Sequence, residues 1–395
     1  MGDLNHFLDR LEKCRRQILA SGLQEALVIH HDEADGLTSA ALSKLALERL
    51  GLETRLICLD KLYPEVVAGL ESGPRRVLAY SDIGSGHIGW LGKHNESGSL
   101  ILTLDHHDTM ESVDPLVMNL NPELDGFSGE TEASSATVAY FFAKSVDRGL
   151  RRFSHLALIG STEVPGEPQG LNELVLKDVE EERSATRSGR GDFKIQQNGM
   201  SFARSRMVAV LNVLGSVGYY QDGPSRGVKA CVEGFDRETL EFAKGLEEKR
   251  KAANQNMLAE VRADGLSQGR LIQWFHAHDN YSGMSGKVVG SFCSYLRYQR
   301  VVNPMKYLMG MMNVPAEIPG WGKLPAPLVK VSGRLPPRLA SLVEKGDRPA
   351  LSRILPEACS QVGGFGDGHS VAASGVFPVG KEEQFMDQIE GLAAG

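Results

Sequence analysis

The chain has 395 residues, 42% of them apolar and 24% charged, and carries a net charge of −7. That length allows two domains with cores of their own, and the acidic balance excludes a bulk basic field, so any nucleic-acid contact must come from a local groove. Five scattered cysteines (Cys14, Cys58, Cys231, Cys293, Cys359) without a CxxC pair, no signal-peptide pattern and no apolar run of membrane length lead to the expectation of a reduced, cytoplasmic protein without membrane contact.

Residues 3–19 carry apolar positions at Leu4, Phe7, Leu8, Leu11, Ile18 and Leu19, the stripe of a surface helix with Asp3 placed as its cap. Residues 26–29 read as a buried strand that runs into the polar loop His30-His31-Asp32-Glu33-Ala34-Asp35-Gly36, followed by a helix over 37–50. Further strands are expected at 55–59, at 76–80 (ending in Ser81-Asp82) and at 100–104 (ending in Asp105-His106-His107). A helix is expected over 131–146, and the apolar run 153–159 reads as another strand, leading to Glu163. Strands alternating with helices imply a mostly parallel sheet.

From about residue 171 the texture changes. Residues 174–182 are helical and acidic, 183–191 read as an exposed turn, and 235–261 form a long charged helix of the kind that connects two blocks. A second, smaller α/β block follows, with strands at 271–275 and 327–331, a helix at 285–296, a glycine-dense loop at 363–369, a strand after it and a last helix at 385–392. The expected organisation is an N-terminal catalytic domain over 1–170, a helical connector over 171–264 and a C-terminal substrate-binding domain over 265–395.

The chemistry lies at the strand ends. His31, Glu33 and Asp35, spaced by two after the first strand, are expected to converge on one point, joined by Asp82, by Asp105-His106-His107 and by Glu163. Taken singly, a strand-end Asp reads as a helix cap and a His pair as a packed feature. Their conjunction reads as a site for two cations. Mixed carboxylate and imidazole donors suit manganese, then zinc, iron or cobalt, and a pair of such ions clamps the attacking and leaving oxygens of a phosphoryl displacement. No GxSxG, P-loop or CxxC offers a different chemistry.

HHDEADGLTSAAL (residues 30–42), the lone Asp82 and TLDHH (residues 103–107) resemble the first three motifs of the DHH phosphoesterases. GGFGDGHSVAASG (residues 363–375) resembles the signature of the DHH-associated C-terminal domain, and the order of all four is similar to the archaeal RecJ-like exonucleases. The resemblance implies that His31, Glu33 and Asp82 hold one metal. Asp35, Asp82, His106 and an acid of a fourth motif, here Glu163, would hold the other, with Asp82 bridging. It implies that His107 works on the phosphate and that Asp105 orients His106. This chain departs from the pattern in having Glu33 where the family has Asp, and Glu163 one position from the usual spacing.

In the C-terminal block, Gly364, Gly366 and Gly368 would let backbone N–H groups approach a phosphate, with His369 as a further donor. Arg334 is the expected grip on a backbone phosphate. Tyr281 is a candidate for base stacking, whereas Trp274 and Phe275 read as core. The expected activity is a manganese-dependent, two-metal exonuclease acting on single-stranded DNA or RNA, with magnesium, zinc or cobalt as other ions and replication or repair proteins as partners. Two alternatives are a phosphatase or phosphodiesterase for small molecules and short oligonucleotides, and a replication-associated scaffold with a weak or silent site.

Overall fold

The computed structural model describes residues 2–189, 191–197 and 199–395. They fall into two compact units, one running to Ala243 and including Pro319–Trp321, the other made of Lys244–Ile318 and Gly322–Gly395.

The first unit opens with α1 (Leu4–Ser21), capped by the Asp3 carboxylate, which accepts the His6 N–H. Its buried stripe is Phe7, Leu11, Cys14 and Ile18, and Gly22 ends it in the left-handed region (φ 66°). Then follow β1 (Glu25–His30), α2 (Ala34–Arg49), β2 (Glu53–Cys58), α3 (Pro64–Glu71), β3 (Val77–Ser81), β4 (Leu100–Leu104) and β5 (Val117–Asn119). The strands form one parallel sheet in the order β2-β1-β3-β4-β5. β3 and β4 are buried at every residue, as a sheet covered on both faces requires. Ala26, Val28, Val77, Ala79, Leu100 and Leu102 share one core with α1, α2 and α4 (Ser135–Val146). The parallel α/β class is therefore as expected. β5, only three residues long, was not.

Three local expectations are overturned. Helix α2 begins at Ala34, so Asp35 and Gly36 lie in its first turn and not in a loop. Residues 153–159 are no strand: α5 (Ser154–Gly160) is a fully buried helix, and it passes into a 3-10 turn, Ser161–Glu163. A short apolar run without polar punctuation fits a buried helix as well as a strand. After α6 (Gly170–Glu182), the expected turn at 183–191 is instead the first part of a small antiparallel sheet, β6 (Ala185–Arg187), β7 (Phe193–Gln197) and β8 (Met200–Ala203). Arg190, within that span, lies outside the described residues. The alternation Phe193, Ile195 and Phe202 buries one face of this sheet. Helices α7 (Arg204–Asn212) and α8 (Gly223–Glu233) complete the unit, and the division between units falls within α9 (Arg237–Asp264).

The second unit continues through β9 (Ser267–Gln268), β10 (Ile272–His276), α10 (Lys287–Leu296), β11 (Tyr307–Val314), β12 (Glu317–Ile318), β13 (Gly322–Lys323), β14 (Leu328–Arg334), α11 (Pro337–Glu344), α12 (Leu351–Gln361), β15 (Phe365–His369), β16 (Ala372–Pro378) and α13 (Glu382–Ala393). Its sheet runs β15-β16-β14-β11-β10-β9, with only β10 and β11 parallel. Val329 and Val331 face a core closed by α12 and α13, and the alternate positions of β14, Lys330, Ser332 and Arg334, lie on the opposite face.

All five cysteines are buried. Among the described residues no helix is long and apolar enough to cross a membrane.

Candidate metal centre

The register of the parallel sheet sets the site. His30 pairs with Ser81, and Ser81 with Leu104, so β1, β3 and β4 end level. The next residues, His31, Asp82 and Asp105, leave the carboxyl edge together, where the strand order reverses between β1 and β3. In open α/β sheets that crevice is where ligands bind. The convergence thus comes from strand register plus the first turn of α2, and not from the two-residue spacing that the sequence suggested.

Asp82 sits in the left-handed region (φ 64°), a conformation that costs a non-glycine residue about 1–3 kcal/mol. Its N–H donates to the Leu104 carbonyl at 3.0 Å. The carboxylate is 3% exposed, and its Oδ1 has no hydrogen-bond partner among the described residues. His31 Nδ1 lies 3.5 Å from Asp82 Oδ2 and 3.8 Å from Glu33 Oε2. His30 points elsewhere: burial lowers its pKa to about 4, and its Nδ1 meets the His31 carbonyl at 2.9 Å.

Asp35 is wholly enclosed. Its two oxygens accept the Ser135 and Ala136 N–H groups, both at 2.8 Å, so the carboxylate rests on the N-terminus of α4. Gly160 makes the space for it, since a Cβ there would lie 2.2 Å from Asp35 Oδ1. Burial, and then the Glu163 and Asp82 carboxylates, push the Asp35 pKa well above its ordinary value.

His106 is 8% exposed, and its Nδ1 bonds the Gly129 carbonyl at 2.6 Å. That bond keeps a proton on Nδ1 and turns Nε2 toward the carboxylates. Nε2 approaches Glu163 Oε1 at 2.9 Å and Asp35 Oδ2 at 3.9 Å; burial opposes protonation, but the Glu163, Asp35 and Asp82 carboxylates push the imidazole well above its ordinary value. The tautomer of His106 is therefore set by Gly129 and not by Asp105, as the resemblance had implied. A Cβ at position 129 would fall 1.8 Å from the His106 carbonyl oxygen, so only glycine fits.

Asp105 holds His107 instead. Its Oδ1 accepts from His107 Nδ1 at 2.6 Å and from the His106 N–H at 2.8 Å, while Oδ2 accepts the Ser85 N–H at 2.9 Å. Burial opposes ionisation of Asp105, but His107, His106 and the Ser85 N–H together hold it well below the usual carboxylate range. Burial likewise favours a neutral His107. The Asp105 charge and hydrogen bond outweigh it and raise the imidazole to about 9. The His107 side chain is 51% exposed, the most open of the group.

Among the described residues, two overlapping sets of donors lie close enough to hold a cation. One is Asp35, Asp82, His106 and Glu163; the other is Asp82, His106 and His107. Asp82 and His106 belong to both. His31 and Glu33 flank Asp82 but stand outside these sets. Two buried carboxylates, Asp35 and Asp82, with the exposed Glu163 against a single imidazole, gather more negative charge than His106 alone offsets. The donor chemistry and the orphaned Asp82 oxygen fit a divalent ion.

In the second unit, Arg334 and His369 both pair in register with Ala372, on strands either side of it, and so share one face of the sheet. Arg334 is half-buried, its Nε donating to Ser294 Oγ at 3.0 Å. The expected glycine loop is an edge strand. A Cβ at Gly364 would meet the Val376 carbonyl at 2.0 Å, one at Gly366 the Ser374 carbonyl at 2.9 Å and one at Gly368 the Ala373 Cα at 2.4 Å. The glycines thus answer to close strand packing. Tyr281 is withdrawn from any stacking role: it is fully buried, and its hydroxyl donates to Asn254 Oδ1. Phe275 packs edge-to-face on Phe292, as expected of core, and Trp274 packs partly buried against the core of its unit.

Gly129, Gly160 and the Ser135-Ala136 helix start were missed from the sequence because each acts through backbone position, which no local motif marks. Asn121, whose Nδ2 donates to the His107 carbonyl and to Ser85 Oγ, was likewise unmarked.

No protein-family model matches the chain. An uncharacterized protein of Methanocaldococcus jannaschii is 26% identical over 187 residues, 45% of this chain and 41% of that relative, so the match spans about four-tenths of the relative's length. Among solved structures, the chain is similar to exonuclease RecJ bound to manganese (TM-score 0.61, 17% identity, 98% of this chain and 94% of the other). It is also similar to the DHH domain of a protein described as belonging to a family of ribosomal proteins (TM-score 0.60, 14% identity, 98% and 91%).

Proposed function

We propose, from the premise that the chain has the RecJ-like DHH fold, that it is a metal-dependent phosphoesterase acting as an exonuclease on single-stranded nucleic acid. The observation that carries the reading is Asp82: a strained, buried carboxylate with an unbonded oxygen at the switch point of the sheet, grouped with Asp35, His106 and Glu163 and 3.5 Å from His31 Nδ1. Asp35, Asp82, His106 and Glu163 would hold one divalent ion. Asp82 and His31, with Glu33 beside it, would hold a second. Bound there, such ions polarise a phosphoryl oxygen and lower the pKa of water to near neutrality. Imidazole alongside carboxylate favours manganese over magnesium, which prefers oxygen-only octahedra.

The chain's own residues do the rest. Asp105 keeps His107 protonated and oriented, so His107 is the group that gives a proton to the departing oxygen. Gly129 and the start of α4 hold His106 and Asp35 before substrate arrives, so little reorganisation is needed. Arg334 and His369, on one face of the second sheet, would hold strand phosphates without reading sequence. Catalysis is assigned to the first unit, which takes in residues 171–243 with their small sheet, so that stretch is no separate helical connector; substrate binding is assigned to the second unit. The test is purified protein on end-labelled single-stranded RNA and DNA, with chelator and with manganese. Release of mononucleotides only with manganese supports the reading. Hydrolysis confined to dinucleotides or small phosphomonoesters points to a small-molecule enzyme, and no hydrolysis with metal bound points to a scaffold.

A further inference from the structure

Glu33 stands at the N-cap of α2, where a side chain ordinarily turns back to accept an N–H of the first helical turn, yet it makes no capping bond. The cap comes from far along the chain. Asn212 Oδ1 accepts the Ala34 N–H at 2.7 Å, across 178 residues. Asn212 ends α7, and the chain then widens into a π turn, Val213–Val217, closed by the Gly218 N–H on the Val213 carbonyl at 3.0 Å. That turn carries Gly215 against the same loop, so close that a Cβ would lie 1.9 Å from the Asp32 carbonyl oxygen. Residues 212–215 therefore grip Asp32 and Ala34, the neighbours of Glu33 on either side. π turns of this kind concentrate at functional sites.

We infer that Asn212, backed by the π turn, is a positioning residue for Glu33: with Gly215 it holds the backbone on either side of Glu33 and so keeps that carboxylate with the cation donors. The inference rests on the reading of the strand ends as a metal centre. Glu33 Oε2 lies 3.8 Å from His31 Nδ1, on the Asp82 side of the site. With Asn212 gone, the Ala34 N–H loses its partner, the backbone that carries Glu33 is released on its helix side, and the donor moves off the cation.

The test uses the full 395-residue chain and manganese alone, titrated calorimetrically, with melting temperatures measured beside it. Asn212→Leu removes the acceptor at nearly constant volume and should weaken manganese binding by about tenfold or more, the scale for an outer partner of a metal ligand. Asn212→Asp keeps the acceptor and should restore affinity to within about threefold of wild type. Asp3→Ala removes an ordinary cap from α1, distant in sequence and unconnected with the cation donors, and should lower the melting temperature without changing manganese affinity. Asn212→Leu that binds manganese like wild type, or Asn212→Asp that binds no better than Asn212→Leu, overturns the inference. A wild type that binds manganese but cleaves no phosphodiester defeats the proposed function, while the affinity ratios still decide the role of Asn212. A wild type that binds none overturns both.

Discussion

Gly129 offers the sharpest test of how the site is held. Replacing it with Ala puts a Cβ 1.8 Å from the His106 carbonyl oxygen, where ordinary contact begins near 3.4 Å. Neither partner is a flexible side-chain end, so backbone must move by about 1.6 Å, shared between the 129 turn and the His106-His107 segment. That displacement breaks the 2.6 Å bond from His106 Nδ1 to the Gly129 carbonyl and releases the tautomer that leaves Nε2 facing Asp35 and Glu163. Misplacement of about 1 Å costs roughly 100-fold in rate, and loss of an outer partner costs 10–100-fold in metal affinity. Gly129→Ala should therefore lower kcat on bis-p-nitrophenyl phosphate by about 100-fold even at saturating manganese, with a stability loss of only about 1–3 kcal/mol from overpacking. The assay is steady-state hydrolysis across a manganese titration, with urea melts to confirm folding. Activity within threefold of wild type would refute the claim that Gly129 sets His106.

Arg334→Ala should raise KM for a long single strand and reduce the slope of log K against log salt by about 0.7, the share of one phosphate contact, while leaving a small diester unaffected; equal losses on both would place Arg334 at the reacting centre. Gly245 lies inside α9 with nothing within 4 Å of an added Cβ, so Gly245→Ala should stabilise the protein by about 0.5–1 kcal/mol without touching activity; a lower melting temperature would contradict this. Asp178 accepts from Tyr140 and Lys144, both on its Oδ2, and from Arg151 on Oδ1; burial opposes its ionisation, but these donors hold its carboxyl below the ordinary range. A lowered folded pKa stabilises above the unfolded value of about 3.9, and that contribution is lost as pH falls through the folded one. Asp178→Asn should cost about 1–3 kcal/mol at pH 7, a deficit that shrinks below about pH 4 in urea melts; a deficit constant down to pH 2 would mean that charge is not the cause.

The strand ends were legible because buried parallel strands read as apolar runs, and an acid or imidazole at the close of each stands out: His31, Asp82 and Asp105 were placed from sequence alone. Glu163 was placed in the site for the wrong structural reason, since Leu156, Ala157, Leu158 and Ile159 are buried as fully in a helix as they would be in a strand. The edge strand β15 escaped because Gly-Asp-Gly-His carries turn composition, and only its tight seat against β16 demands those glycines. The division of labour between Asp105 and Gly129, and the remote cap from Asn212, had no sequence signal at all. The Gly129 and Asn212 bonds are backbone contacts made across the fold, through residues that any loop or helix end can contain.

The most direct measurement of the central claim is the manganese stoichiometry of wild type and Asp82→Asn, by calorimetry and by metal analysis after equilibrium dialysis. Asp82 is the carboxylate assigned to both proposed cations, so its removal leaves them without their shared ligand. Wild type should bind two equivalents and Asp82→Asn at most one, with hydrolysis lost together with the missing ion. Two equivalents still bound by Asp82→Asn, or hydrolysis by wild type undiminished in excess chelator, would contradict it.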